Sequence, residues 1–275
     1  MPPIVWTIAG FDPSSGAGVT ADLKTIAAHS CYGASAITAL TIQNTLGVRR
    51  VESVTAAGLR ETLQVLLEDL PPNAIKIGML YRKDIIQSVA TFLTEVRGRC
   101  PLVLDPILLS SSGAPLLESE AVELLRSSLL PLVTVLTPNR AEAAELTGLP
   151  VEDAESLAVA LRRMGPEAVV VTGGDPLGDA SCADLACDTL AYRLGGLESV
   201  ETLSAPRLAS TSTHGTGCAF STSIACGLAL GLPIPQAVTR AKAYVRRAME
   251  LAPQGIGSGR GPLGLLEAAN MAAVE

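Results

Sequence analysis

Aromatic residues make up only 3% of this chain, and histidine occurs twice in 275 residues. With so few rings, a core has to be filled by Leu, Val, Ile and Ala, and an apolar content of 48% is ample for that. Basic runs are missing too: Arg49-Arg50 and Arg246-Arg247 are isolated pairs, and the formal net charge is -7. That balance argues against a general affinity for nucleic acid. Gly, Pro or polar residues interrupt every apolar stretch before the length of about 20 needed to span a bilayer, so no membrane segment is expected. Pro2-Pro3-Ile4-Val5-Trp6 lacks the charged start of a secretory leader and enters a strand-like run at once. Six cysteines (Cys31, Cys100, Cys182, Cys187, Cys218, Cys226) are scattered without a C-x-x-C pair. Neither a zinc site nor a disulfide framework is expected, and a reducing cytoplasm fits this usage. Walker A, G-x-x-x-x-G-K-[ST], is absent, so any nucleotide must be held by another phosphate cradle.

What the chain does contain is a regular alternation of short apolar runs and amphipathic stretches. The pattern predicts strands at Ile4–Ala9, Ser35–Leu40, Ala74–Ile77, Leu102–Leu104, Leu132–Leu136 and Ala168–Val171. Helices are predicted over Ala21–Ala28, Ala57–Leu67, Asp84–Val96, Glu118–Leu130, Arg140–Thr147 and Ala154–Met164. The strands are near-continuous apolar runs, so both faces must be covered, as in a parallel sheet between helical layers. Beyond Thr172 the pattern changes: Asp184–Leu194 reads as one or two antiparallel edge strands, followed by helices at Cys218–Leu230 and Ile234–Leu251. With no linker, repeat or low-complexity tract, residues 1–275 read as one domain.

Thr213-His214-Gly215-Thr216-Gly217-Cys218 runs directly into the first of these late helices. Alternating glycines and small polar residues at a helix N-terminus build a pocket of backbone N–H groups that favours an anion, phosphate above all. The helix dipole leads us to expect a thiolate at Cys218, against the plainer reading of a small residue at a close packing position. His214 alone reads as a satisfied loop histidine. Gly16-Ala17-Gly18-Val19-Thr20-Ala21 matches the loose dinucleotide pattern G-x-G-x-x-G/A. The acid that pattern needs about 20 residues further on is missing. A substrate-facing loop carrying Asp12 and Asp22 fits better. Asp105, Asn139 and Glu142 fall at or after predicted strand ends, where an α/β sheet binds ligand and where hard oxygen donors suit Mg²⁺-phosphate. Asn139 with Glu142 three residues on also reads as a helix capping box, and the two roles are compatible.

Together these segments resemble the hydroxymethylpyrimidine/phosphomethylpyrimidine kinases of thiamine biosynthesis, within the ribokinase-like superfamily. The resemblance spans nearly the whole chain. It rests on Ala9-Gly10-Phe11-Asp12-Pro13-Ser14-Ser15-Gly16-Ala17-Gly18, Ala21-Asp22-Leu23-Lys24-Thr25, and the run from Ser35 to Thr45. Lys76-Ile77-Gly78-Met79-Leu80, Leu104-Asp105-Pro106, Thr137-Pro138-Asn139-Arg140-Ala141-Glu142 and the Thr213–Cys218 frame complete it in order. It implies a three-layer α/β sandwich: a mostly parallel central sheet, helices on both faces and a small antiparallel edge. It further implies phosphorylation of a hydroxymethylpyrimidine and then of its monophosphate, with ATP and Mg²⁺, in a homodimer. By the same resemblance Gly10, Ala17, Asp22, Gln43 and Met79 form the pyrimidine pocket. Asp105, Asn139, Thr172, Gly174 and Thr213 support ATP, with Asp105 and Glu142 toward the metal. Gly215, Thr216, Gly217 and Cys218 form the catalytic anion hole, Cys218 standing where the superfamily's sugar kinases carry a catalytic aspartate.

Three departures qualify the match. Val171-Thr172-Gly173-Gly174-Asp175 stands where the family usually has Lys-Gly-Gly-His, Ser110-Ser111-Ser112-Gly113 lacks a lysine, and Gly261-Pro262-Leu263-Gly264 lacks a histidine. The lost cations are expected to weaken phosphate neutralisation unless Arg140, another side chain or the metal compensates. A pyridoxal kinase of the same superfamily and a non-catalytic ligand-binding relative stay open as alternatives.

Overall fold

The computed structural model describes residues 1–109, 113, 115–174, 184–210 and 212–271, and its apolar runs line up in one nine-stranded sheet. The strands are β1 (Ile4–Phe11), β2 (Tyr32–Asn44), β3 (Gly47–Ser53), β4 (Ala74–Ile77), β5 (Leu102–Leu104), β6 (Val135–Leu136), β7 (Ala168–Val171), β8 (Leu185–Leu194) and β9 (Leu197–Pro206). Their spatial order is β3-β2-β1-β4-β5-β6-β7-β8-β9. From β2 to β7 every pairing is parallel, while β3 at one edge and β8–β9 at the other pair antiparallel. The chain winds from β1 outward to β2 and then returns to place β4 on the other side of β1. The crevice at the carboxyl ends of β1 and β4 is therefore the switch point where such sheets bind ligands.

Helices α1 (Gly18–Ala28), α7 (Thr216–Ala229) and α8 (Ile234–Glu250) cover one face. Helices α2 (Ala56–Asp69), α3 (Lys83–Glu95), α4 (Val122–Ser128), α5 (Arg140–Thr147) and α6 (Ala154–Arg163) cover the other. Strand side chains alternate between the two layers: Trp6, Ile8, Ile75 and Ile77 pack under α2 and α3, while Val5 and Ala74 pack with α7 and α8. Lys76 and Thr7, by the same alternation, point toward α1 and α7.

The expected three-layer architecture is present, with local differences. β3 and β9 were not anticipated, because exposed edge strands carry too many charges and hydroxyls to read as buried runs. The β8–β9 turn uses Gly195 and Gly196, both at positive φ (60° and 86°), as a tight hairpin requires. The helix expected at Glu118–Leu130 shortens to α4 flanked by 3-10 turns, and Pro131 in the second turn reduces the strand expected at Leu132–Leu136 to β6. Helix α7 begins at Thr216, two residues earlier than expected.

Five cysteines are free thiols among the described residues, and Cys182 lies outside them. Cys31 and Cys226 are hydrogen-bonded to each other in the layer between sheet and α7. Nearby, His29 is buried, with Nδ1 3.0 Å from Thr25 O and Nε2 2.8 Å from Ser223 Oγ. The carbonyl requires an Nδ1–H donor, so Nε2 accepts from the serine and the ring is neutral. Burial, reinforced by Arg240 and opposed by the Thr25 bond, lowers the His29 pKa to about 4. The unfolded chain therefore binds the extra proton between about pH 6.5 and 4, and stability falls as pH drops through that window, by up to about 1.4 kcal/mol per unit. Thermal unfolding from pH 7 to 4.5 is expected to show a shallower fall in Tm for His29→Gln than for the parent. Equal slopes would remove His29 as the cause.

Candidate active site

At the switch point the backbone comes very close to itself. A Cβ on Gly10, at the end of β1, would lie 2.9 Å from Met79 Sδ, just beyond β4. Thr38 Oγ1 donates to Met79 O at 2.6 Å and fixes that loop from β2. Gln43 follows a register shift in the β2–β3 ladder, a device that re-aims a side chain. Gly10, Gln43 and Met79 thus lie on or just beyond three neighbouring strands at one end of the sheet. Ala17, the N-cap of α1, is tied into the same end by its N–H on Asp12 Oδ2 at 2.9 Å.

Against the loop after β1 sits the N-terminus of α7, where a Cβ on Gly215 would lie 1.9 Å from Gly16 O. Its N-cap is Gly215 in the left-handed region (φ 82°), no side chain caps the helix, and no acidic residue occupies its first turn. The first N–H to close the helix is that of Ala219, on Gly215 O at 2.9 Å. The N–H groups of the preceding turn are the ones a bound anion would satisfy. Thr213 O accepts the Thr216 hydroxyl at 3.3 Å and holds the entry to the turn. Gly217 is exposed, and a Cβ there would meet Asp105 Oδ2 at 3.5 Å, so the β5 carboxylate faces the same turn.

Between β1, β4, α1 and α7 lies a buried group of charges. Asp22 is inaccessible: Oδ2 takes the Thr7 hydroxyl at 2.5 Å and Lys76 Nζ at 2.8 Å, and Oδ1 takes the Thr222 hydroxyl at 2.8 Å. Its oxygens serve β1, β4 and α7, and its side chain is fully buried among them. Burial works against the Lys76 charge, but Asp22, Cys218 and Asp105 outweigh it and keep the ammonium charged. Asp105 receives the Ser221 hydroxyl at 3.3 Å, and burial, reinforced by Asp22 against the opposing Lys76, lifts its pKa to about 6.

The expected Cys218 thiolate is not supported. Cys218 is buried in the first turn of α7, and burial raises its pKa to about 12; Lys76 opposes that rise, while Asp22 and Asp105 reinforce it. The helix dipole is outweighed by desolvation and two carboxylates.

At the ends of β6 and β7, the Asn139–Glu142 capping box is fully formed. Glu142 Oε2 accepts from Asn139 N at 2.9 Å and Oε1 from Leu108 N at 3.1 Å. Thr172 bridges to Asn139, with its N–H on Pro138 O at 2.9 Å. Two cations reach the following turn from elsewhere in the chain. Arg207 Nη1 donates to Gly174 O at 2.6 Å, while Lys242 pairs at 2.6 Å with Asp188, which also accepts from Gly173 N at 2.9 Å. Asp175 and Ser110–Ser112 lie outside the described residues. Mg²⁺ needs few protein ligands when phosphates and waters supply the rest. The buried Asp105 and Glu142, whose oxygens also hold backbone N–H groups, offer the hard oxygen donors that would hold it.

Of the expected site residues, Gly10, Ala17, Gln43 and Met79 lie at the switch point, Asp105 and Thr213 to Cys218 at the α7 turn, and Asn139, Glu142, Thr172 and Gly174 at the adjoining strand ends. Lys76, Thr222 and Ser221 were missed as site-building residues. A lysine inside the otherwise apolar strand Ala74-Ile75-Lys76-Ile77 was the available signal.

A phosphomethylpyrimidine kinase family model matches residues 12–264. The chain belongs to this family. The hydroxymethylpyrimidine/phosphomethylpyrimidine kinase of Synechococcus elongatus is 43% identical over 265 residues, covering 95% of this chain and 97% of that protein. Among solved structures, a phosphomethylpyrimidine kinase from Clostridium difficile shares 36% identity at a TM-score of 0.75, over 90% of this chain and 99% of that one. The pyridoxal kinase from Staphylococcus aureus in complex with AMP-PCP and pyridoxal shares 30% at a TM-score of 0.85, over 98% and 96%. The family's sheet and switch point are the ones described above, and no helix among the described residues is long and apolar enough to cross a membrane.

Proposed function

We propose that this kinase transfers the γ-phosphoryl group of ATP to the 5-hydroxymethyl oxygen of 4-amino-5-hydroxymethyl-2-methylpyrimidine, and then phosphorylates the monophosphate to the diphosphate, in thiamine biosynthesis. One observation supports the reading: an uncapped helix N-terminus stands against the loop that follows β1 at the switch point, with a buried carboxylate facing the same turn. Gln43 presents an amide, able to pair with the donor and acceptor edge of an aminopyrimidine.

The hydroxymethyl oxygen, held against α7, attacks in line. A loose transition state spreads charge over the equatorial phosphoryl oxygens, and positioning carries most of the rate. The N–H groups of Gly215 to Cys218 meet that charge; one such donor is typically worth about 10²–10³ in rate. Cys218 holds its proton in the resting site, so its assigned role is to hydrogen-bond the attacking hydroxyl; the new P–O bond forms as the bond from the γ-phosphorus to ADP breaks, and the hydroxyl proton passes late to an oxygen of the transferred phosphoryl group. Asp105 and Glu142 would hold Mg²⁺, which would neutralise triphosphate charge. Arg207, at the Gly174 carbonyl, takes the place of the cations missing from the family pattern. A cytoplasmic homodimer without nucleic-acid or membrane partners accompanies this reading.

Coupled ADP release with the hydroxymethylpyrimidine, its monophosphate and pyridoxal, each offered separately, tests it. Turnover on the first two is expected. Turnover on pyridoxal alone would replace the reading with a pyridoxal kinase, and turnover on none would remove the kinase assignment.

A further inference from the structure

The loop after β1 and the loop before α7 are 202 residues apart in sequence yet share one carboxylate. Asp12 is 2% exposed. Its Oδ1 accepts from Ser14 N at 2.8 Å and Ser14 Oγ at 2.6 Å, and its Oδ2 from Gly16 N at 3.2 Å and Ala17 N at 2.9 Å. The same Oδ2 lies 2.9 Å from His214 Nε2, and the Gln43 side chain also donates to this carboxylate. Burial disfavours the Asp12 charge, but His214, Ser14 and Gln43 more than compensate and hold it below the ordinary carboxylate range. The carboxylate is therefore ionised and acts only as an acceptor, so the His214 nitrogen facing it carries a proton.

Around this point the two loops interlock. A Cβ on Gly215 would lie 1.9 Å from Gly16 O, and one on Gly16 would lie 2.2 Å from His214 Cδ2. On its other side His214 is tied by its backbone N–H to Gly261 O at 3.4 Å. Gln43 donates its amide N–H to Asp12, which leaves its carbonyl to accept from a ligand. One buried carboxylate thus sets three things: the path of the Asp12–Ala17 loop, the way round of the Gln43 amide, and the position of the residue preceding the α7 N-cap.

We infer that Asp12 and His214 are positioning residues that hold the acceptor pocket in register with the phosphoryl cradle. The inference rests on the kinase reading above. Binding the pyrimidine needs only the pocket side of this link, whereas in-line transfer needs both sides at a fixed separation. A displacement of about 1 Å can cost about 10²-fold in rate. Breaking the link at His214 should therefore be felt in kcat and hardly in substrate binding.

The experiment compares the full-length parent with His214→Leu and His214→Gln, measuring kcat, KM for the pyrimidine, and pyrimidine affinity by calorimetry without nucleotide. His214→Leu removes the donor while leaving Asp12 its four loop bonds, and His214→Gln can still donate from Nε2. The expected result is a kcat lowered about 10- to 100-fold in His214→Leu, with pyrimidine affinity within about threefold of the parent and most of kcat recovered in His214→Gln. Equal losses in both variants, a kcat within about threefold of the parent in His214→Leu, or a parallel loss of pyrimidine binding would each overturn the inference. A parent enzyme that turns over none of the pyrimidine substrates would instead sink the kinase reading, so the two failures are told apart.

Discussion

Lys76→Met is expected to cost the fold about 3–5 kcal/mol, because it leaves the Asp22 carboxylate charged and buried without its counter-ion. Both partners are inaccessible, at 2.8 Å, so neither water nor a neighbouring chain can substitute. The Thr7 and Thr222 hydroxyls supply hydrogen bonds to Asp22 but no positive charge. The same ammonium also faces Asp105 and Cys218, whose environments grow more hostile to negative charge without it. Urea unfolding of the parent, Lys76→Met, and Lys76→Met with Asp22→Asn measures the effect. The double variant carries a neutral amide in place of the stranded carboxylate and is expected to regain at least half of the loss. A single variant within about 1 kcal/mol of the parent would show that the pair is not as desolvated as its burial implies.

Gly215→Ala is expected to lower kcat by about 10²–10³. Two independent constraints act at this residue. Its φ of 82° is one that L side chains rarely adopt, and its Cβ would lie 1.9 Å from Gly16 O, a backbone atom that cannot swing aside. Relief of the clash has to move either the Asp12–Ala17 loop or the first turn of α7, and both form walls of the site. Gly217→Ala is the contrasting variant, since its Cβ meets only Asp105 Oδ2 at an ordinary 3.5 Å. Steady-state kinetics should show the larger fall for Gly215→Ala; the reverse order would place the critical backbone approach at Gly217 instead.

Much of the fold was legible because its parallel strands are buried on both faces and leave unmistakable apolar runs. Ala74–Ile77, Leu102–Leu104, Arg140–Thr147 and Ala168–Val171 have the boundaries that their patterns indicate. The edge strands β3 and β9 were hidden by solvent-facing charge. The chemistry-bearing loops were legible as types of residue but not as partners. Asp22 looked like a pocket acid because it follows the substrate loop, whereas one turn of α1 carries it beneath the sheet's end to Lys76. Cys218 looked activated because it lies in a helix's first turn, and only the packing reveals two carboxylates beside it. Asp12 and His214 each had an ordinary local explanation, and nothing in the spacing of two residues so far apart announces that they meet.

The Thr222–Asp22 bond spans 200 residues, and this has a consequence for the chain during its synthesis. At about 5–20 residues per second, roughly 10–40 s separate the emergence of Asp22 from that of Thr222. Through that interval a nascent chain can pair Asp22 with Lys76 but has no α7, and so neither a phosphate cradle nor the histidine that Asp12 awaits. A nascent chain that lacks α7 therefore lacks the proposed transfer site.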